Sequence, residues 1–138
     1  MHTLVKKISQ WPRRFWQSES GSQTIEFVIW MPIFVFIIII TMNVSMVFYK
    51  ESQMLRIVQD ANRSFSMGRI RTEAGVIEYV AEKIAYMNVN PTISTDLSSG
   101  IITTQLSVPA TELMPFTLLD DYFSETKIGV SSSHFVEY

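Results

Sequence analysis

Between Glu26 and Lys50 lie 23 residues without a formally charged side chain, FVIWMPIFVFIIIITMNVSMVFY. Wound as a helix at 1.5 Å per residue, they would span roughly 35 Å, against a hydrocarbon core of about 30 Å. No other stretch constrains the chain as strongly. It reads as one transmembrane helix with a little tilt. Pro32 lies inside it and removes an N–H while crowding the carbonyl of Val28. Membrane helices tolerate such prolines, especially near an end. Trp30 suits one membrane interface, and Tyr49 marks the other.

The flanks set an orientation. Before the span, residues 1–20 carry Lys6, Lys7, Arg13 and Arg14 against one acid, Glu19. After it, residues 50–60 balance Lys50 and Arg56 with Glu51 and Asp60. Counting Lys and Arg puts the N-terminal side in the cytoplasm. Residues 50–138 then lie outside, in the periplasm of a Gram-negative cell. A secretory signal would have a shorter apolar run and a small-residue cut site after it. Val47-Phe48-Tyr49-Lys50 offers no such site. The 138 residues leave room for one small domain beyond the anchor. With no cysteine there is neither a disulfide framework nor a Cys-based metal site. A net charge of −2 gives no reason to expect nucleic acid.

A cut before the apolar run gives a different reading of the same stretch. A basic leader ends at Gly21, and Ser22-Gln23-Thr24-Ile25-Glu26-Phe27 leads into the helix. Glycine offers a protease an accessible backbone, and the leader cations hold that bond at the cytoplasmic face. Cutting there keeps the anchor and creates an α-ammonium at Ser22, about one helical turn from Glu26. A carboxylate at a helix N-terminus is favoured by the dipole and the free N–H groups. On position alone, Glu26 also suits the cytosolic edge of an uncleaved anchor.

Gly21, a glutamate five residues on and a hydrophobic helix together resemble the class III signal of type IV pilins and pseudopilins. Glu26-Phe27, Pro32 and Arg13-Arg14-Phe15 resemble the TadE/TadF minor pseudopilins of the tight-adherence (Tad) type IV pilus. The resemblance implies a prepilin peptidase that cuts between Gly21 and Ser22. It implies that Glu26 and Phe27 serve peptidase recognition and assembly. Ser22 stands where many type IV pilins have Phe. The implied partners are the peptidase, other Tad pseudopilins, the major pilin, the inner-membrane assembly platform and the inner membrane itself, with no cofactor and no catalysis. The implied role is pilus assembly for surface adhesion and biofilm formation. The alternative is an uncleaved single-pass signal anchor with a small periplasmic sensor or scaffold domain.

Beyond the span, Val47, Met54, Val58, Ala61 and Phe65 keep a helical spacing with polar residues between them. The first helix is therefore expected over about 23–67, stopped by Gly68. Thr72 is a candidate N-cap for a second helix with Val76, Ile77, Val80, Ile84 and Met87 on its apolar face. Residues 92–97 and 101–108 read as strands joined by Ser98-Ser99-Gly100, a hairpin signal. A connection of open form, 110–123, leads to a last strand over 126–136, in approximate alternation at Ile128, Val130 and Phe135. The fold class is α+β: a long N-terminal helix, a second helix and a small antiparallel sheet. The expected division is a leader (1–21), a transmembrane helix (22–49) and a periplasmic domain (50–138).

Other chemistry carries little weight. His134 beside Ser131, Ser132 and Ser133 is no catalytic pair, because neighbours in a strand point to opposite faces. Asp120-Asp121 lacks a calcium-loop pattern, and there is no phosphate loop. Asn43 is expected either to bond a neighbouring membrane helix or to meet water at the outer interface. Ile33, Ile37, Ile40, Val44 and Val47 form the expected helix-packing stripe.

Overall fold

The computed structural model of the chain describes residues 20–137, with side chains from Thr24 onward. The chain divides into two compact units, Met1–Ile39 and Ile40–Tyr138. Helix α1 spans Ser20–Ser66, 47 residues that pass through Pro32 without a break. In the first unit every described side chain from Thr24 to Ile38 is exposed. This is the one helix among the described residues that is long and apolar enough to cross a membrane. A surface that is apolar on all sides has no aqueous core to bury itself in, and fits a lipid environment.

The second unit is the α+β head. In it, α1 becomes one-sided, and Met54, Val58, Ala61 and Phe65 are buried. The helix ends where the sequence places its stop. Gly68 takes φ +70°, its N–H donates to the Phe65 carbonyl (2.9 Å), and the Arg69 N–H donates back to Ser64 (2.9 Å). These two bonds satisfy the last orphan carbonyls in the paired left-handed cap that glycine permits. Helix α2 spans Glu73–Ile84, with Thr72 Oγ1 accepting from the Gly75 N–H at 3.0 Å. It buries Val76, Val80 and Ile84, while Ile77 and Met87 are half-buried. A 3-10 turn, Ala85–Met87, ends at Asn88 in the left-handed region.

Strands β1 (Thr92–Ser98), β2 (Ile101–Pro109) and β3 (Lys127–Phe135) form an antiparallel sheet in that order. Ser98 pairs with Ile101 across a two-residue turn in which Ser99 (φ 54°) and Gly100 (φ 77°) both have positive φ. That handedness matches the twist of the flanking strands. Between β2 and β3 lie two short helices, α3 (Ala110–Leu113) and α4 (Asp120–Phe123), with a 3-10 turn at Thr117–Leu119.

One face of the sheet packs on the helices. Ile102, Leu106, Val108 and Val130 meet the apolar faces of α1 and α2 in a single core. Each such side chain contributes about 1.5–3 kcal/mol through burial. In β3 the third inward place goes to Ser132, and Phe135 is 72% exposed. The expected alternation therefore fails at Phe135, which lies an odd number of residues from Ile128 and Val130 and so on the opposite face.

Ser132 belongs to a polar row crossing the core. It lies opposite Thr104, which lies opposite Thr95. Asn62 of α1, fully buried, sits over this row. Its Nδ2 donates to the Ser132 carbonyl (2.7 Å), and the Thr104 hydroxyl donates to its Oδ1 (2.6 Å). The single hydroxyl proton of Thr104 is thereby used, so Thr95 donates to Thr104 at 3.2 Å. One amide thus links α1 to β3 and β2 directly, and to β1 through Thr104. Removing it orphans buried polar groups on two strands. Asn62→Ala is expected to destabilise the head by about 3 kcal/mol. Asn62→Leu should recover little of that, although it restores volume. Urea denaturation followed by circular dichroism distinguishes this from a simple packing loss.

Candidate processing and assembly segment

Gly21 and Ser22 lie in the first turn of α1. Ser22 and Glu26 are four residues apart in that helix and so share a face, one turn apart. The structure thus brings the candidate new terminus and the candidate assembly carboxylate to neighbouring positions. Lys6, Lys7, Arg13 and Arg14 lie outside the described residues.

Glu26 is exposed, as is Phe27 beside it. With Trp30 and Phe34 they line a shallow open groove on the helix surface. The spacing explains the grouping, because Glu26, Trp30 and Phe34 follow at four-residue steps and Phe27 stands three before Trp30. The groove puts a carboxylate at the edge of three aromatic rings. Chemically this suits one cationic partner group flanked by an apolar surface. A carboxylate at membrane depth is costly without such a partner.

Asn43 finds partners within the chain, in the connection between β2 and β3, and is 1% exposed. Its Nδ2 donates to the Phe116 carbonyl, and the Phe116 N–H donates to its Oδ1, both at 3.2 Å. Phe116 is extended (φ −121°, ψ 126°), so the amide pairs with it as a neighbouring strand would. Above this, Lys50 Nζ donates to the Glu112 carbonyl at 3.2 Å. The connection between β2 and β3 is therefore fastened to α1 at two levels. Residue spacing could flag Asn43 as unusual, but nothing local points to a partner 73 residues away.

Glu112 holds a third element. Its Oε2 accepts from the Asn90 N–H (2.6 Å) and its Oε1 from Asn90 Nδ2 (2.9 Å). These two donors lower the carboxyl pKa below its ordinary value. Elsewhere, Tyr79 donates to Asp60, which holds the phenolic proton and raises the tyrosine pKa. Lys83 lies over the Tyr79 ring, 5.6 Å from its centre. His134 lines an open polar groove with Arg56, Gln59, Asp60 and Arg63. The Ser133 hydroxyl is hydrogen-bonded to that of Thr103 at 2.9 Å. Asp120 and Asp121 open α4 as first-turn acids, where the helix dipole favours them.

Residues 21–63 match the family model of TadE-like proteins. Over this segment, about a third of the chain, the sequence is similar to TadE-like proteins. The match opens at Gly21 and takes in Glu26, Asn43 and the head stripe as far as Ala61, but none of α2 or the sheet. That family is associated with the Tad pilus and is not known for enzymes. No curated protein and no solved structure matches the chain.

The Glu112–Asn90 link has a pH signature. A carboxyl with a lowered folded pKa stabilises the fold fully above its ordinary value of 4.5. That contribution is lost as the pH falls through the lower, folded value. Glu112 is near the surface, so screening limits the effect to about 1 kcal/mol. In detergent, the midpoint temperature of Glu112→Gln should lie below that of the parent at pH 7. The two should converge as the pH falls below 4.5.

Proposed function

We propose that the chain is a minor pseudopilin precursor of the Tad system. Residues 1–21 are a basic leader on the cytoplasmic side, 22–49 an inner-membrane helix and 50–138 a periplasmic head. A prepilin peptidase cuts between Gly21 and Ser22, and the product joins other Tad pseudopilins and the major pilin on the inner-membrane assembly platform. The protein performs no chemistry itself. It serves assembly of a filament for surface adhesion and biofilm formation.

The observation that carries this reading is the register of the family match. It opens at Gly21, with Glu26 five residues on and the charge-free helix directly after. Gly21 has a further use in that position. Glycine is a poor helix former, so the first turn of α1 opens at low cost for a protease that needs extended backbone. After cleavage, the Ser22 ammonium and Glu26 lie on one helix face. Glu26 then pairs with the Ser22 amine of a neighbouring subunit, which satisfies a carboxylate at membrane depth and sets the axial register between subunits.

Two substitutions separate processing from assembly. Gly21→Leu should leave the precursor uncut, with the leader epitope retained on a blot of the membrane fraction. Glu26→Ala should be cut normally. Its incorporation into sheared filaments should fall on the order of tenfold, the equivalent of about 1.4 kcal/mol at each contact. Normal filament incorporation of Glu26→Ala would remove the assembly role.

A further inference from the structure

The connection between β2 and β3 is a closed excursion. Its neck is fixed by the Ala110 N–H donating to the Thr126 carbonyl at 2.8 Å. From there it descends along α1, held first by Lys50 at Glu112 and then by Asn43 at Phe116. At 1.5 Å per residue, Asn43 lies about 10 Å along the helix from Lys50. Lys50 is the charge that closes the 23-residue apolar stretch. Phe116 is therefore fastened well to the apolar side of that boundary.

The tip is apolar and uncovered. Leu118 is 62% exposed and Tyr122 83%, with Phe116 and Phe123 beside them in sequence. Phe116 and Pro115 share an apolar groove with Met42, Met46 and Tyr49 of α1. The tip thus continues the surface of the very helix segment that has a lipid-type composition. Part of its backbone is already partnered. Asn43 satisfies both polar groups of Phe116, and the Asp120 N–H donates to Thr117. Non-helical backbone survives at membrane depth only when so satisfied. The segment 110–126 carries no Lys or Arg; of its acids Glu112, Asp120, Asp121 and Glu125, Asp120 and Asp121 lie within the tip, after Phe116 and Leu118. They would be costly in hydrocarbon and set a shallow limit at the headgroups.

We propose that the tip around residues 115–123 inserts into the outer leaflet of the bilayer that α1 crosses, with Phe116 and Leu118 in the acyl region. The head would then be seated on the membrane by two attachments, the helix and the tip. This rests on the reading of α1 as a membrane helix. The side chains that would otherwise face water are continuous with those that face lipid, which favours lipid over a protein partner as the occupant.

The chain has no cysteine, so single-cysteine nitroxide labels report one site each. Full-length protein in phosphatidylcholine vesicles is labelled at Leu118→Cys, with Ile37→Cys in the anchor and Ser98→Cys at the distal hairpin as references. Accessibility to oxygen and to a water-soluble nickel chelate is read by electron paramagnetic resonance. The Leu118 label should resemble Ile37, favouring oxygen, with nickel accessibility several-fold below that at Ser98. A Leu118 label as nickel-accessible as Ser98, with Ile37 still lipid-like, would place the tip in water and overturn the proposal alone. A water-like Ile37 would overturn the membrane reading beneath it. A Leu118 label shielded from both reagents, and released as the lipid-to-protein ratio rises, would assign the tip to a second copy and also overturn the proposal.

Discussion

From Phe27 to Ile38 the first helix buries nothing of its own, and from Met54 to Phe65 it must bury one face. These two requirements fall on one helix of 47 residues, and the rest of the fold follows from them. The apolar stretch carries no charge and no one-sided stripe, as suits a helix long and apolar enough to cross a membrane. The later stretch needs a stripe of small and medium side chains on which a second helix and a sheet can pack. Val58 and Ala61 on that stripe are fully buried in the shared core. The head is thus built on the helix, with no core that excludes it.

Two asparagines of α1 fix the head to it. Asn62 holds the sheet through Thr104 and Ser132, and Asn43 holds the β2–β3 connection through the backbone of Phe116. Apolar packing is tolerant of small slides, whereas a buried amide with two fixed partners is not, because a slip leaves donors and acceptors unpaired. Asn62 therefore sets the register of helix against sheet. Asn43 does the same for a connection that has little core of its own.

Much of this architecture is legible in the residues themselves. Gly68, Thr72, the Ser98-Ser99-Gly100 turn and Pro109 mark element ends by local chemistry, and the structure uses each in that way. The apolar stripes of α1 and α2 follow from helical period. What sequence alone misses is long-range polar pairing. Asn62 sits among charged and polar neighbours, and only the sheet's inward row of Thr95, Thr104 and Ser132 makes it a core residue. Phe135 misled because an aromatic near a strand end suggests the core, while parity sends it outward. The connection after Pro109 had no period to read, since its form is set by Asn43, Lys50 and Asn90. The pattern of glycine, carboxylate and apolar run over Gly21–Phe27 is by contrast local, and the family match covers it.

The central claim is that Glu26 is the fifth residue of a processed chain. The most direct test is the intact mass and N-terminal sequence of the full-length gene product, purified from membranes of hosts with and without an active prepilin peptidase. The account predicts a chain that starts at Ser22 when the peptidase is active and retains residues 1–21 when it is not. A chain that retains the leader in both hosts would contradict it, leaving an uncleaved anchor with Glu26 as its cytosolic edge.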